Sequence, residues 1–199
     1  ISGLEGKLQY TADLARLKIN TPYLKIDLGS LFDSNLILNN LISELDLNLI
    51  DNKVSISNST FKGTYKKTVI RGEVNLYPSP FDNAGDLSLK ISSYELDYLD
   101  ALSLFPNLSY TKLTKSWLQN SISCGSVQEI SFIYRGPIDN KYLESSSSFQ
   151  SKGSIRNSCI NLNDVGIKNV NLVANINNSS FVGELLDGYL YGSNIKGTV

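Results

Sequence analysis

Apolar residues recur at every second position along most of this chain, and that pattern restricts its fold more than any other feature. Leu24, Ile26 and Leu28 alternate with Lys25 and Asp27, and Leu45, Leu47 and Leu49 alternate with Glu44, Asp46 and Asn48. Val54 and Ile56, Val74 and Leu76, and Leu87, Leu89 and Ile91 continue the pattern. Val170, Leu172, Ala174 and Ile176 end it, with Asn169, Asn171, Asn175 and Asn177 opposite. Period two places one apolar and one polar face on a short strand. Asp51-Asn52, Gly63, Gly72, Pro78-Ser79-Pro80, Asn83-Ala84-Gly85 and Gly166 read as turns or strand ends. Many strands with frequent turns predict a mainly β protein built as a twisted or curled antiparallel sheet.

One stretch departs from this rhythm. A short helical insertion is expected around residues 94–122, with a first helix in Tyr94 to Phe105 broken by Pro106 and Asn107. Lys112 to Ile122 then brings Leu113, Trp117 and Leu118 together as the anchor of a second helix, and Gly125 ends the segment. Val127 to Tyr134 returns to strand character. Tyr142 to Lys152, with serines at 145–148, reads as a loop or exposed crossing. A soft division falls near residue 140, with strands plus insertion in 1–140 and further strands in 141–199. Neither side has edge protection of its own, so the two are expected to share one sheet.

Composition narrows the function. With 18 basic and 19 acidic residues, the chain carries no basic surplus for nucleic acid or anionic lipid head groups. It contains no histidine, which removes the usual neutral-pH base and the commonest metal ligand. It starts at Ile1 and has no methionine, which leads to the expectation of a fragment or processed product. No stretch approaches the roughly 20 apolar residues of a membrane-spanning helix. Two cysteines, Cys124 and Cys159, either pair to close a loop or remain free thiols on strands; the second is the simpler reading. Abundant asparagine and serine with little alanine disfavours long helices.

In the middle of the chain, an alternating strand from Leu87 leads to YELDYLDALSLFP, and then to KSWLQNSISCGSVQEISFIYRG. The order of Asp97, Leu104 with Pro106, Trp117-Leu118, Gly125 and Gly136 resembles the AsmA-like family of envelope proteins related to YhdP and TamB. Gly6-Lys7-Leu8, Ile26 to Phe32, and Gly153 to Gly192 extend the similarity over most of the chain. After Gly136 the sequence departs from the family's "dFPF"-like step and has Asp139-Asn140-Lys141-Tyr142 instead. The resemblance implies an open, taco-like β-groove in a periplasmic protein of Gram-negative bacteria, anchored in the inner membrane. Its partners would be phospholipid acyl chains passing between the inner and outer membranes, with no cofactor and no covalent step.

The residues assigned to such a groove are Leu45, Leu47, Leu49, Val74, Leu76, Leu87, Leu89, Ile91, Leu172 and Ile176, each of which ordinary core packing would also explain. Trp117 with Leu113 and Leu118 either plugs one side of the groove or simply anchors a helix on the sheet. Catalysis has little support. Lys115-Ser116 are adjacent rather than spaced as base and nucleophile, and Asp97, Asp100, Glu44 and Asp46 read as solvated carboxylates. Gly183 to Gly188 lacks the lysine of a phosphate loop. Asn58-Ser59-Thr60, Asn107-Leu108-Ser109 and Asn178-Ser179-Ser180 match the N-glycosylation pattern, as an asparagine-rich chain does by chance. The rival reading is a structural or adhesive β module, a β-helix or sandwich with no role in lipid transfer.

Overall fold

A computed structural model of the chain describes residues 6–11, 14–28, 31–32, 35–50, 53–78, 85–138, 146–162, 165–178 and 180–198. Among them run eleven strands: β1 (Gly6–Thr11), β2 (Leu14–Ile26), β3 (Leu36–Ile50), β4 (Lys53–Tyr65), β5 (Thr68–Tyr77), β6 (Asp86–Asp97), β7 (Ile122–Pro137), β8 (Ser148–Leu162), β9 (Val165–Asn177), β10 (Ser180–Leu190) and β11 (Ser193–Thr198). Two helices, α1 (Tyr98–Ser103) and α2 (Ser109–Ser121), lie between β6 and β7. Each strand pairs antiparallel with the next, giving one sheet in the order β1 to β11 that is not closed. Consecutive antiparallel pairing in a single sheet excludes both the parallel coils of a β-helix and the two sheets of a sandwich. The sheet runs through the region of the expected division, because β7 and β8 pair along their length. Residues 139–145 lie outside the described residues.

The strands are longer than the alternation suggested. β3 and β8 each have 15 residues and β7 has 16. Gly63 and Gly72, expected as turns or strand ends, lie inside β4 and β5. At Gly72, smallness is what the sheet uses. A Cβ on Gly72 would lie 2.6 Å from the Phe61 ring and 2.1 Å from the Lys90 carbonyl oxygen. The turn between β4 and β5 is Lys66-Lys67, with Lys66 at φ 55°. The serine run is partly strand as well, since β8 begins at Ser148. The Asp51-Asn52 turn and most of the 78–85 turn lie outside the described residues.

Asparagine has a structural use here. Asn40, Asn58, Asn157 and Asn169 sit inside strands with φ between 47° and 52°. Asparagine tolerates this left-handed region better than most residues with a side chain. Ladder register shifts occur between Asn39 and Ile42, between Ile56 and Thr60, and between Ile155 and Ser158. Such shifts are β-bulges or similar irregularities, and a bulge bends a strand and raises its twist. They also keep the apolar face in phase along strands too long for strict alternation.

Register shows how that face is built. One row of partners runs Ile19, Ser43, Phe61, Gly72, Ile91, Phe132, Ser151, Ile176 and Phe181 from β2 to β10. Small residues beside large rings let neighbouring side chains interlock. The buried apolar residues form one cluster along this face. The other face is largely polar, with ion pairs Arg16–Asp46, Lys18–Glu44 and Lys90–Glu73, though Tyr23, Ile37, Ile42 and Val69 are exposed on it.

Candidate functional site

The apolar face is covered in one half and hollow in the other. In the covered half, α1 packs on β6 and β7, and α2 packs on β7 and β8. Asp97 starts α1 by accepting a hydrogen bond from Leu99 N at 2.9 Å. Leu108 precedes α2, and its N–H donates to the Thr111 hydroxyl at 3.1 Å. Phe105 meets Phe149 of β8 with ring centroids 5.3 Å apart, and Phe149 lies beside Phe132 of β7. Leu102, Leu104, Leu108 and Leu118 are buried with them. Below the helices lies a void of only about 50 Å³, between Tyr98, Leu118, Ile130 and Ile176 among others.

The anchor of α2 needs correcting. Leu118 is buried as expected, but Leu113 is 78% exposed. Trp117 is 36% exposed and rests at the margin of the sheet against Phe181 of β10, centroids 5.2 Å apart. The inward stripe is Leu108, Thr111, Lys115, Leu118 and Ile122, at helical spacing. Two of its members are polar, so a search for large apolar residues selected the neighbouring stripe. Lys115 is buried while Ser116 points outward, so this adjacent pair faces different surroundings.

The hollow half holds an apolar chamber of about 330 Å³ that runs across the strands from β2 to the end of β7. Leu17, Ile19 and Leu24 line it from β2, Leu38, Leu41, Leu45 and Leu47 from β3, and Ile56 and Phe61 from β4. Val74, Leu76, Leu87 and Ile138 complete the far side. Five of the ten groove residues picked from the sequence therefore meet here: Leu45, Leu47, Val74, Leu76 and Leu87. Leu89, Ile91 and Leu172 are buried on the same face outside the chamber lining, and Ile176 lines the small void beneath the helices. Leu49 keeps the face but lies near the end of its strand, paired with Val54 and 76% exposed, so it does not line the chamber. Sequence reasoning missed Leu17, Ile19, Leu38, Leu41 and Phe61. Period two marks Leu17 and Ile19, whereas the Asn40 bulge breaks the alternation between Leu38 and Leu41.

Among the described residues, Ser43 is the single polar one in the lining, and its hydroxyl donates to the Thr60 carbonyl at 2.8 Å. An ordered buried water needs about two to four polar partners, and this lining leaves it almost none. The chamber is suited to hydrocarbon. It lies within the lower part of the size range of ligand sites, about 300–1,000 Å³.

The carboxylates weighed as catalytic have structural partners. Asp46 is buried on the polar face, where Arg16 Nε donates to it at 2.7 Å and Asn58 Nδ2 at 3.4 Å. The Arg16 hydrogen bond holds the Asp46 carboxyl below the usual range against the opposing effect of burial. Glu44 is held low by Lys18 in the same way. Asp100 pairs with Lys66 at 3.4 Å. Cys124 and Cys159 are cross-strand partners in β7 and β8 and form a disulfide, Cα atoms 5.0 Å apart, so the free-thiol reading is corrected. Among the described residues, no group of three or more His, Cys, Asp or Glu is placed to hold a metal.

Fold and site together define a class: an unclosed antiparallel meander whose apolar face is part capped by helices and part hollowed into a groove-like chamber. No protein-family model, curated protein or solved structure matches the chain.

Proposed function

We propose that this chain is a non-catalytic part of an AsmA-like envelope protein, and that its apolar face forms a stretch of β-groove holding phospholipid acyl chains between the inner and outer membranes. The observation that carries the reading is the chamber, hydrocarbon-lined and running across the strand order of a sheet that has not closed on itself. A path across the strands is the direction in which further strands would lengthen the groove. At β1, the face carries Leu8 and Tyr10, 62% and 74% exposed, so the apolar surface continues to the edge. Each methylene that enters gains about 0.8 kcal/mol, and the contacts are alike along the way, so a chain is held without being fixed at one position. The disulfide supports an oxidising compartment such as the periplasm.

Native mass spectrometry of the purified chain, with lipid extraction in parallel, tests this. Phospholipid in stoichiometric amount is expected, and Leu47→Asp with Leu76→Asp should remove it. Both residues are half-buried in the lining, so a carboxylate there can reach water. A folded protein that is free of lipid, and takes none up from phospholipid vesicles, would refute the reading.

A further inference from the structure

The polar face carries a hollow of its own, of about 590 Å³, across β8 to β11. Asn157, Asn169, Asn171 and Asn194 line it together with Asp187 and Lys196. Tyr189, 47% exposed, is the one aromatic residue in the lining among the described residues. Asn171 lies between the buried Val170 and Leu172, so strand alternation turns it away from the core. The backbone is bent around this hollow. Ladder shifts fall between Ile155 and Ser158, between Leu185 and Asp187, and between Asp187 and Tyr189. Asn157 and Asn169 have φ values of 51° and 52°. Several features hold Asn157 there. Its N–H donates to Asn171 Oδ1 at 3.1 Å, the Cys124–Cys159 bridge ties β8 to β7 nearby, and the missing side chain of Gly125 makes room for Ser158. Asn171 Nδ2 in turn donates to Asp187 Oδ1 at 2.6 Å. One hydrogen-bonded line thus runs from β8 through β9 to β10.

We propose that this hollow binds a neutral saccharide. Side-chain amides both donate and accept, a carboxylate accepts at two oxygens, and an ammonium donates. That mixture matches neighbouring sugar hydroxyls, each of which is donor and acceptor at once. Tyr189 adds a rigid ring for the C–H face of a pyranose and a hydroxyl for its rim. Asp187 and Lys196 bring opposite charges, so the lining favours neither an anion nor a cation. Asn171 and Asp187 already hold one another, which lowers the cost of ordering them around a ligand. Bulges are frequent beside binding sites, where they re-aim side chains, and here several surround one concavity. Its volume falls in the range of small-molecule sites. The site shares no lining residue with the apolar chamber and does not depend on the lipid reading.

Amide proton–nitrogen correlation NMR of the full chain, titrated to millimolar levels with cellobiose, maltotriose and N,N′-diacetylchitobiose in turn, tests this. At least one of these sugars is expected to shift the side-chain amide signals of Asn157, Asn169, Asn171 and Asn194, while those of Asn20 and Asn75 stay in place. Tyr189→Ala and Asp187→Ala should each weaken that binding roughly tenfold. Tyr23→Ala, which removes a similarly exposed ring outside the hollow, should leave it unchanged. Unaltered backbone signals in β2 to β7 identify the variants that remain folded, and the wild-type shifts stand without them. No shift with any of the sugars, or shifts that miss these asparagines, would overturn the proposal. Equal binding by folded Tyr189→Ala and Tyr23→Ala proteins would overturn it as well.

Discussion

Breaking the Cys124–Cys159 bridge should cost this protein a substantial part of its stability. The two cysteines are 35 positions apart, and the loop they close holds most of β7, the connection to β8 and most of β8. In the chain-entropy description, a loop of that length removes about 4 kcal/mol of freedom from the unfolded chain, and native bridges typically yield about 2–4 kcal/mol. The bridge joins two strands that already pair at these residues, with a register shift on either side. Gly125 helps: at φ 119°, it occupies a place where a Cβ would lie 2.7 Å from Ser158. Urea unfolding of the wild type, of the wild type with reductant, and of a Cys124→Ser, Cys159→Ser variant would measure the effect. At an m-value of roughly 2 kcal/mol/M, the midpoint should fall by about 1–2 M, and equally in the last two samples. Equal midpoints in all three, or thiols that react in the folded, unreduced protein, would refute the argument.

Gly72→Ala should destabilise by about 1–3 kcal/mol, because the new methyl collides with the Phe61 ring and the Lys90 carbonyl; thermal unfolding would show it. Leu118→Ala should cost about 2–5 kcal/mol, whereas Leu113→Ala should stay within about 0.5 kcal/mol, so chemical denaturation of the pair checks which stripe of α2 faces the sheet. The Asp46 pKa is lowered in the folded protein, so its contribution is complete above the unfolded value near 4 and is lost as pH falls through the folded value. Asp46→Asn should therefore flatten the loss of stability below about pH 4, as followed by denaturation across an acid series.

The sheet was legible because alternation is a local signal: Leu87, Leu89 and Ile91 announce an inward face whatever lies beside them. Bulges were not, since Asn40 and Asn58 look like turn or surface residues until their partners are known. Gly72 is a related case: glycine signals freedom at turns, but here its missing side chain makes room for Phe61. Cysteine pairing depends on register, which no spacing along one strand reveals. On α2, tertiary contact selected Thr111 and Lys115 for the inner stripe over Leu113, against the hydrophobic count. Of the residues assigned to a groove, the five that line the chamber lie on alternating stretches, and Leu49 lies outside it because burial fades near the strand's end, which periodicity cannot locate.

A one-sided apolar sheet needs cover, and this molecule supplies it unevenly. Over β6 to β8, Leu102, Leu104, Phe105, Leu108 and Leu118 are buried by the insertion, each burial being favourable by about 1.5–3 kcal/mol. Over β2 to β5, the walls are as apolar, but a chamber remains. About ten methylenes placed there would gain roughly 8 kcal/mol before the cost of ordering them, comparable to the lower end of what the five side chains contribute next door. On the proposed reading, the half that holds the chamber is the part of the fold that hydrocarbon would stabilise. A ligand that binds only the folded state raises stability with its concentration. Hydrocarbon should accordingly protect β2 to β5 before it affects β9 to β11, and that order separates a filled groove from detergent coating the sheet at large.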